Sequence, residues 1–296
     1  MNAKLLSLAL LAAGLVAPTS ALLALERAVP ATDVASINTP DPAQQVREMA
    51  QLFRAGDVAG MARTLMPASK WEEAKLMWEL HRLEPIDAED QAEFAEKLAK
   101  ITAPDAVDTL MAEIEPKLVE ARPQQAGALL MAFGAAQMAI NSPESELTDE
   151  QRAALQSGLP GFQAWAASTD FLDSATLRDA LTLLTDAARR TGLTSLEQIR
   201  ALPLEGLLDR ARPVLAAAKD AVQLYGIDVD AIADSLQVDV LENDGRTARV
   251  RTTVTLFGAP VWHEHELVLV EGRWYGKHAV EQWHHKHVRV EHSREG

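Results

Sequence analysis

Imidazole is concentrated at one end of this 296-residue chain: seven of its eight histidines, His263, His265, His278, His284, His285, His287 and His292, fall within residues 263–296. His263 and His265 lie two apart in an alternating segment, so a strand there would project both side chains from one face. That geometry can chelate zinc, copper or nickel through ring nitrogens. Glu271 or another histidine would complete such a divalent transition-metal site. Trp262, Trp274, Tyr275 and Trp283 lie around the same segment and are candidates for lining a pocket. Two other readings stand beside metal. A His-x-His on an edge strand is commonly polar or partner-facing surface, and residues 284–296 read as a flexible tail. The segment from 241 onward also balances eight acids against eight bases. It would therefore turn positive as its histidines protonate near their ordinary pKa of about 6.5.

Other reactive signatures are missing from the sequence. It holds no Gly-x-Ser-x-Gly elbow, phosphate-binding Gly-Lys-Ser/Thr loop, dinucleotide glycine fingerprint or His-Glu-x-x-His pair. Carboxylate clusters such as Glu72 with Glu73, or Asp87 with Glu89 and Asp90, fall in capping or solvent-facing contexts. Trp71 and Trp78 share a helical stripe and read as core anchors rather than a stacking platform. There is no cysteine, which removes disulfides, thiolate metal sites and a cysteine nucleophile. No catalytic residue can be assigned, and no cofactor other than the metal just described is expected.

The elements that position the histidines are strands. Val238 and Val240 alternate with polar residues, Asn243-Asp244-Gly245 signals a turn, and Ala248, Val250, Thr252, Val254 and Leu256 line one face of a returning strand. Gly258-Ala259-Pro260 turns the chain into a third strand over 261–271, and Glu271-Gly272 leads to a fourth at Arg273-Trp274-Tyr275. Upstream the pattern is helical. Asp41 and Pro42 start a helix that stops at Gly56, Asp57 caps a second, and Trp71–Leu83 forms a third. From Asp87 to Leu224 capped helical segments follow closely, including TDEQRAALQSGL and a last one that Pro213 either kinks or restarts. The uncharged stretch 126–140 suits a buried core helix. The fold class expected is α+β, predominantly helical: a helical bundle followed by a C-terminal antiparallel β-meander of about four strands.

Before the helices, residues 1–21 carry an early lysine, an apolar run from Leu5 to Val16 and small residues at Thr19-Ser20-Ala21, the pattern of a secretory signal peptide. Residues 22–41 read as a flexible linker. Leu22–Leu25 extend the apolar stretch to about 20 residues, enough to anchor the chain in a bilayer if it stays uncleaved. The protein is therefore expected to be periplasmic or secreted, with membrane contact only through an uncleaved N-terminal segment. Formal net charge is −15, and all of the excess lies before residue 241, where 35 acids face 20 bases. Such a surface excludes nucleic acid as a partner, because phosphate neutralisation needs a basic face.

Two blocks resemble a known superfamily. VREMAQLFRAGDVAGMARTLMP is similar to the opening of NTF2-like (SnoaL-like) domains, where a helix ends at Gly-Asp and a short second helix runs to a proline. VDVLENDGRTARVRTTVTLFG, followed by HELVLVEGRWYGK, resembles their closing meander. The resemblance implies an NTF2-like α+β unit from 42–85 plus 226–290, a curved sheet wrapped around helices, with 86–225 as a helical bundle or insertion. Some members of that superfamily are enzymes and many are binding or association modules. The function expected is a non-enzymatic binding or association module of the cell envelope, contacting a protein, a cell-envelope component or a small ligand. The alternative is an enzyme with its site in the NTF2-like cone, or a metal-dependent enzyme using His263 and His265.

Overall fold

A computed structural model of the chain describes residues 40–281, except Glu146 and the side chain of Glu150. The expected signal peptide, nearly all of the linker, Trp283 and the histidines from His284 onward lie outside the described residues. The fold is α+β, with a helical region leading into a four-stranded antiparallel sheet whose strands lie side by side in chain order.

Helix α1 (Pro42–Ala55) begins where the Asp41 carboxylate accepts from the Ala43 N–H, and it stops at Gly56 in the left-handed conformation, φ 66°. Asp57 caps α2 (Val58–Thr64) in turn. Helix α3 (Ala68–Leu83) follows, then α4 (Ala88–Thr102), α5 (Ala106–Ala121), a single 3₁₀ turn, and α6 (Gln125–Asn141). Helix α7 (Asp149–Ser168) opens with a capping box between Thr148 and Gln151, and α8 (Ser174–Arg190) is capped by Asp173. Short helices α9 (Leu196–Ala201) and α10 (Leu204–Arg210) lead to α11 (Arg212–Gln223), where Pro213 sits in the first turn and starts a fresh helix rather than kinking an old one. Helix α12 (Val229–Asp234) precedes the sheet.

The strands are β1 (Gln237–Asn243), β2 (Thr247–Leu256), β3 (Ala259–Val270) and β4 (Arg273–Gly276). Both later hairpins close with two-residue loops whose residues all have positive φ: Phe257 at 51° with Gly258 at 77°, and Glu271 at 52° with Gly272 at 77°. These are the values of a type I′ turn, whose twist matches that of the strands. The first of these turns therefore lies at Phe257-Gly258, ahead of the expected Gly258-Ala259-Pro260. In β1 an irregularity between Val240 and Glu242 shifts the pairing by one residue.

The tightest core forms where α1 crosses the sheet. Ala43, Val238, Ala248, Val250, Leu267 and Trp274 are buried together, with Val46 packed against them. Gln45 fastens the helix to β4 from both sides: its Oε1 accepts from the Trp274 N–H at 2.8 Å, and its Nε2 donates to the Trp274 carbonyl. Trp274 also donates its indole N–H to the Pro40 carbonyl. A second centre is aromatic, joining Phe162 and Trp165 of α7 to Phe133, Phe171 and Phe257.

Three helices differ from their sequence reading. TDEQRAALQSGL does not end at Gly158-Leu159, because α7 continues through Pro160 to Ser168. The two glycines that look like a stop are needed for contact: a Cβ on Gly158 would lie 3.0 Å from Val261 Cγ2, and one on Gly161 would lie 2.3 Å from the Phe257 carbonyl oxygen. Helix α6 is not a buried core helix. Only Gln125, Leu129, Phe133, Ala136 and Ile140 turn inward, whereas Leu130, Met131 and Met138 are 74%, 77% and 73% exposed. Helix α3 buries Trp71 as expected, yet it exposes Leu76, Met77, Leu80 and Leu83.

Candidate functional site

Strand β3 carries the histidine pair, and its pairing fixes which way the rings face. His265 lies opposite Val250 and His263 opposite Thr252. Both rings therefore project from the face that holds Ala248, Val250 and Leu267, where Val250 is fully buried. They share one face, as their spacing requires, with centroids 4.5 Å apart in an edge-to-face arrangement. The face is the core face at its open end, not the charged one. Strand β4 pairs only with Leu267–Val270, so β3 is an edge strand at both histidines.

His265 Nε2 lies 2.9 Å from Thr252 Oγ1. Surrounding protein, and secondarily the neighbouring His263, push its pKa from 6.5 down to about 4. His265 as a whole is nevertheless an exposed residue, and solvent screens the effect without changing its direction. His265 is thus a neutral imidazole at physiological pH. The expected charging near pH 6.5 does not extend to this residue.

On the opposite face of β3 the charges close on one another. Glu264 accepts from Arg251 Nη2 at 2.7 Å and from Arg249 Nη1 at 2.9 Å, and Arg249 also reaches Glu242. Arg251 holds the Glu264 carboxyl below its usual range; burial opposes it, and Arg249 adds to the lowering. The Arg251 guanidinium also stands 4.5 Å from the Trp262 ring centroid, a cation–π contact. Beside these groups the start of α7, through Thr148 and Gln151, helps to line a cavity of about 220 Å³ with Trp262 and residues 263–266. That is below the roughly 300–1,000 Å³ of ordinary small-molecule pockets.

The other sequence candidates go elsewhere. Trp274 and Tyr275 are 3% and 4% exposed, and Tyr275 Oη donates to the Met66 carbonyl, so both belong to the packing around α1 and α2 rather than to the cavity. Among the described residues of that group, Trp262 alone lines it. Glu271 is engaged at the start of α3, where it accepts from the Ser69 N–H and hydroxyl, and those bonds lower its pKa. It lies six residues along from His265, roughly 20 Å at strand rise, which removes it as a third ligand. Among the described residues no three His, Cys, Asp or Glu side chains converge as a metal cage would require.

The sequence reading missed the apolar outer surfaces of α3 and α6. The signal for α3 was present: Leu76, Leu80 and Leu83 fall on the side of the helix opposite Trp71, Ala74 and Trp78, so the helix is apolar on two opposed sides. Among the described residues no helix is long and apolar enough to cross a membrane. No family model, curated protein or solved structure matches the chain. The described residues form a predominantly helical α+β protein, without cysteine, that has a small, charge-compensated cavity and apolar solvent faces on α3 and α6.

Proposed function

We propose that this chain is an exported, non-enzymatic association module of the cell envelope whose surface for a protein partner is the solvent face of α3. The observation that carries the reading is the exposure of Leu76, Met77, Leu80 and Leu83 at 60%, 60%, 52% and 82% along a helix already anchored by Trp71 on its other side. A contiguous apolar surface of this kind normally marks an interaction site. Two further features support association over catalysis. The ionisable groups of the β3 face satisfy one another, and the space between α1 and the sheet, where an NTF2-like unit would place its site, is occupied by Val46, Val250 and Trp274.

The test is site-specific photo-crosslinking in the native host. A crosslinker at Leu80 or Leu83 should give protein adducts of discrete mass, and one at Glu96, exposed on α4, should give none. Equal labelling at all three positions, or adducts that resist protease, would count against a protein partner. Export is tested separately, since the extracytoplasmic protein should begin near Leu22.

A second reading rests on the histidine pair. Adjacent imidazoles on one face, 4.5 Å apart, have the geometry of ligands for a divalent transition metal. Metal analysis of untagged protein decides it: substoichiometric metal that does not change on His263→Ala with His265→Ala removes that reading.

A further inference from the structure

The solvent side of α6 is built unlike any other surface of the described chain. No charged residue occurs between Arg122 and Glu144. The helix turns Gln125, Leu129, Phe133, Ala136 and Ile140 inward, so at about 100° per residue the centre of its outer face falls on Gly127, Met131, Gly134 and Met138. These positions follow an i, i+4, i+7, i+11 spacing and alternate strictly between the smallest side chain and a long, flexible one. Both methionines are more than two-thirds exposed.

Among the described residues nothing makes use of these glycines. A Cβ added at Gly127 or Gly134 would meet nothing within 4 Å, and neither residue has a positive φ. Glycine inside a helix weakens it relative to alanine. Two such positions on one face, each surrounded by open space, indicate room kept for something outside the chain.

We infer that α6 pairs antiparallel with α6 of a second copy about a two-fold axis between residues 132 and 133. In that register Gly127 faces the partner copy's Met138, and Met131 faces its Gly134. Every methionine then meets a glycine gap, which is the self-complementarity an isologous interface requires. The small residues let the two backbones approach closely, and the methionines adapt their shape to the gaps. Electrostatics select the same occupant. The helical region is strongly acidic, so two copies repel over most of their surface and meet at least cost on the strip without charge. A bilayer-seated helix would carry a basic border at both ends, whereas here Arg122 stands beside Glu120 on one side and Glu144, Asp149 and Glu150 follow on the other. One helix pair lies at the small end of specific interfaces, where association is weak and reversible. The pairing is independent of the partner assigned to α3, since it involves another helix.

The absence of native cysteine allows a clean test in the full-length chain. A mixture of Gly127→Cys and Met138→Cys proteins should form a disulfide-linked heterodimer under mild oxidation, because those positions face one another. Met138→Cys alone should not, since its two copies would stand about 16 Å apart along the axis, beyond the roughly 7 Å between Cα atoms that a disulfide spans. In sedimentation, Gly134→Leu should weaken self-association at least about tenfold with the helical circular dichroism retained. Ready crosslinking of Met138→Cys with itself would overturn the antiparallel register. A wild-type chain that stays monomeric at high micromolar concentration would overturn the dimer, as would association insensitive to Gly134→Leu. Monomeric chain that binds neutral lipid vesicles through this face would give it to a bilayer instead and end the proposal.

Discussion

Phe257 stacks on Trp165 with ring centroids 4.8 Å apart and planes 28° from parallel, while its backbone occupies the left-handed region at φ 51°. A bulky side chain at that φ is strained, and glycine or asparagine is the usual occupant of such a turn. The aromatic contact compensates: Phe162 lies 5.5 Å away on the same helix, and Trp165 is itself fixed by donating its indole N–H to the Tyr225 carbonyl at 2.7 Å. Phe257→Asn should therefore destabilise the protein by about 1–2 kcal/mol although it improves the turn. Chemical denaturation of Phe257→Asn, Trp165→Ala and the double variant should give a coupling near 1 kcal/mol. Strictly additive losses would mean the stacking carries no energy.

Two glycines in neighbouring helices should respond to alanine with opposite signs. At Gly161 the new Cβ would meet the Phe257 carbonyl oxygen at 2.3 Å and the Phe257 Cβ at 2.9 Å, so α7 would have to move off the hairpin. A loss of about 2–3 kcal/mol is expected. At Gly134 there is open space, and alanine should gain about 0.5–1 kcal/mol from helix propensity in the monomer. Thermal melts at low concentration distinguish the two, and a stabilising Gly161→Ala would show that the hairpin yields.

Local signals in the sequence were legible where one residue decides local geometry. Asp41, Asp57, Thr148 and Asp173 all cap the helices they precede, and the two-residue period of Ala248–Leu256 and of His263 with His265 fixes which side chains share a face. What stayed hidden depends on the number of neighbours a segment finds. Gly158-Leu159-Pro160-Gly161 has the composition of a helix stop, but here glycine answers to the close approach of β3 and the Phe257 turn, a tertiary demand that no local pattern records. The uncharged run of α6 looked like interior because such helices are usually covered on all sides, and the described residues cover only one. The histidine pair could be placed on one face from spacing alone. That this face is the core face needed the register with Val250.

His265 should make stability depend on pH in a defined window. Its folded pKa, about 4, lies below the roughly 6.5 of an unfolded histidine. Between those values the unfolded chain binds more protons, so stability is full above pH 6.5 and declines as pH falls towards 4. Solvent access to the ring reduces the effect to about 1 kcal/mol. The titratable group that acts on it is His263, 4.5 Å away, which His265→Gln leaves in place while keeping a polar partner for Thr252. That variant should flatten the decline in melting temperature over this window, and an unaltered slope would place the titrating group elsewhere.

Glu264 should contribute more than an ordinary surface carboxylate. Its side chain is 17% exposed and accepts from two guanidinium groups on β2 that stand two residues apart on the same face. Glu264→Gln removes the one charge that neutralises both, and leaves Arg249 and Arg251 repelling each other beside a cation–π contact that draws Arg251 towards Trp262. A loss of about 1 kcal/mol is expected, more than a lone surface pair supplies. Because the folded pKa is depressed, the stabilisation is fully present above the unfolded carboxyl value near 4.5 and is lost as pH falls through the lower folded value. The difference between wild type and Glu264→Gln should hence be large at pH 7 and shrink below pH 4.5. The Trp262 emission spectrum should shift in the variant as Arg251 changes its position over the ring. A constant difference down to pH 2, with unchanged fluorescence, would show that the two arginines are held by Glu242 and solvent rather than by Glu264.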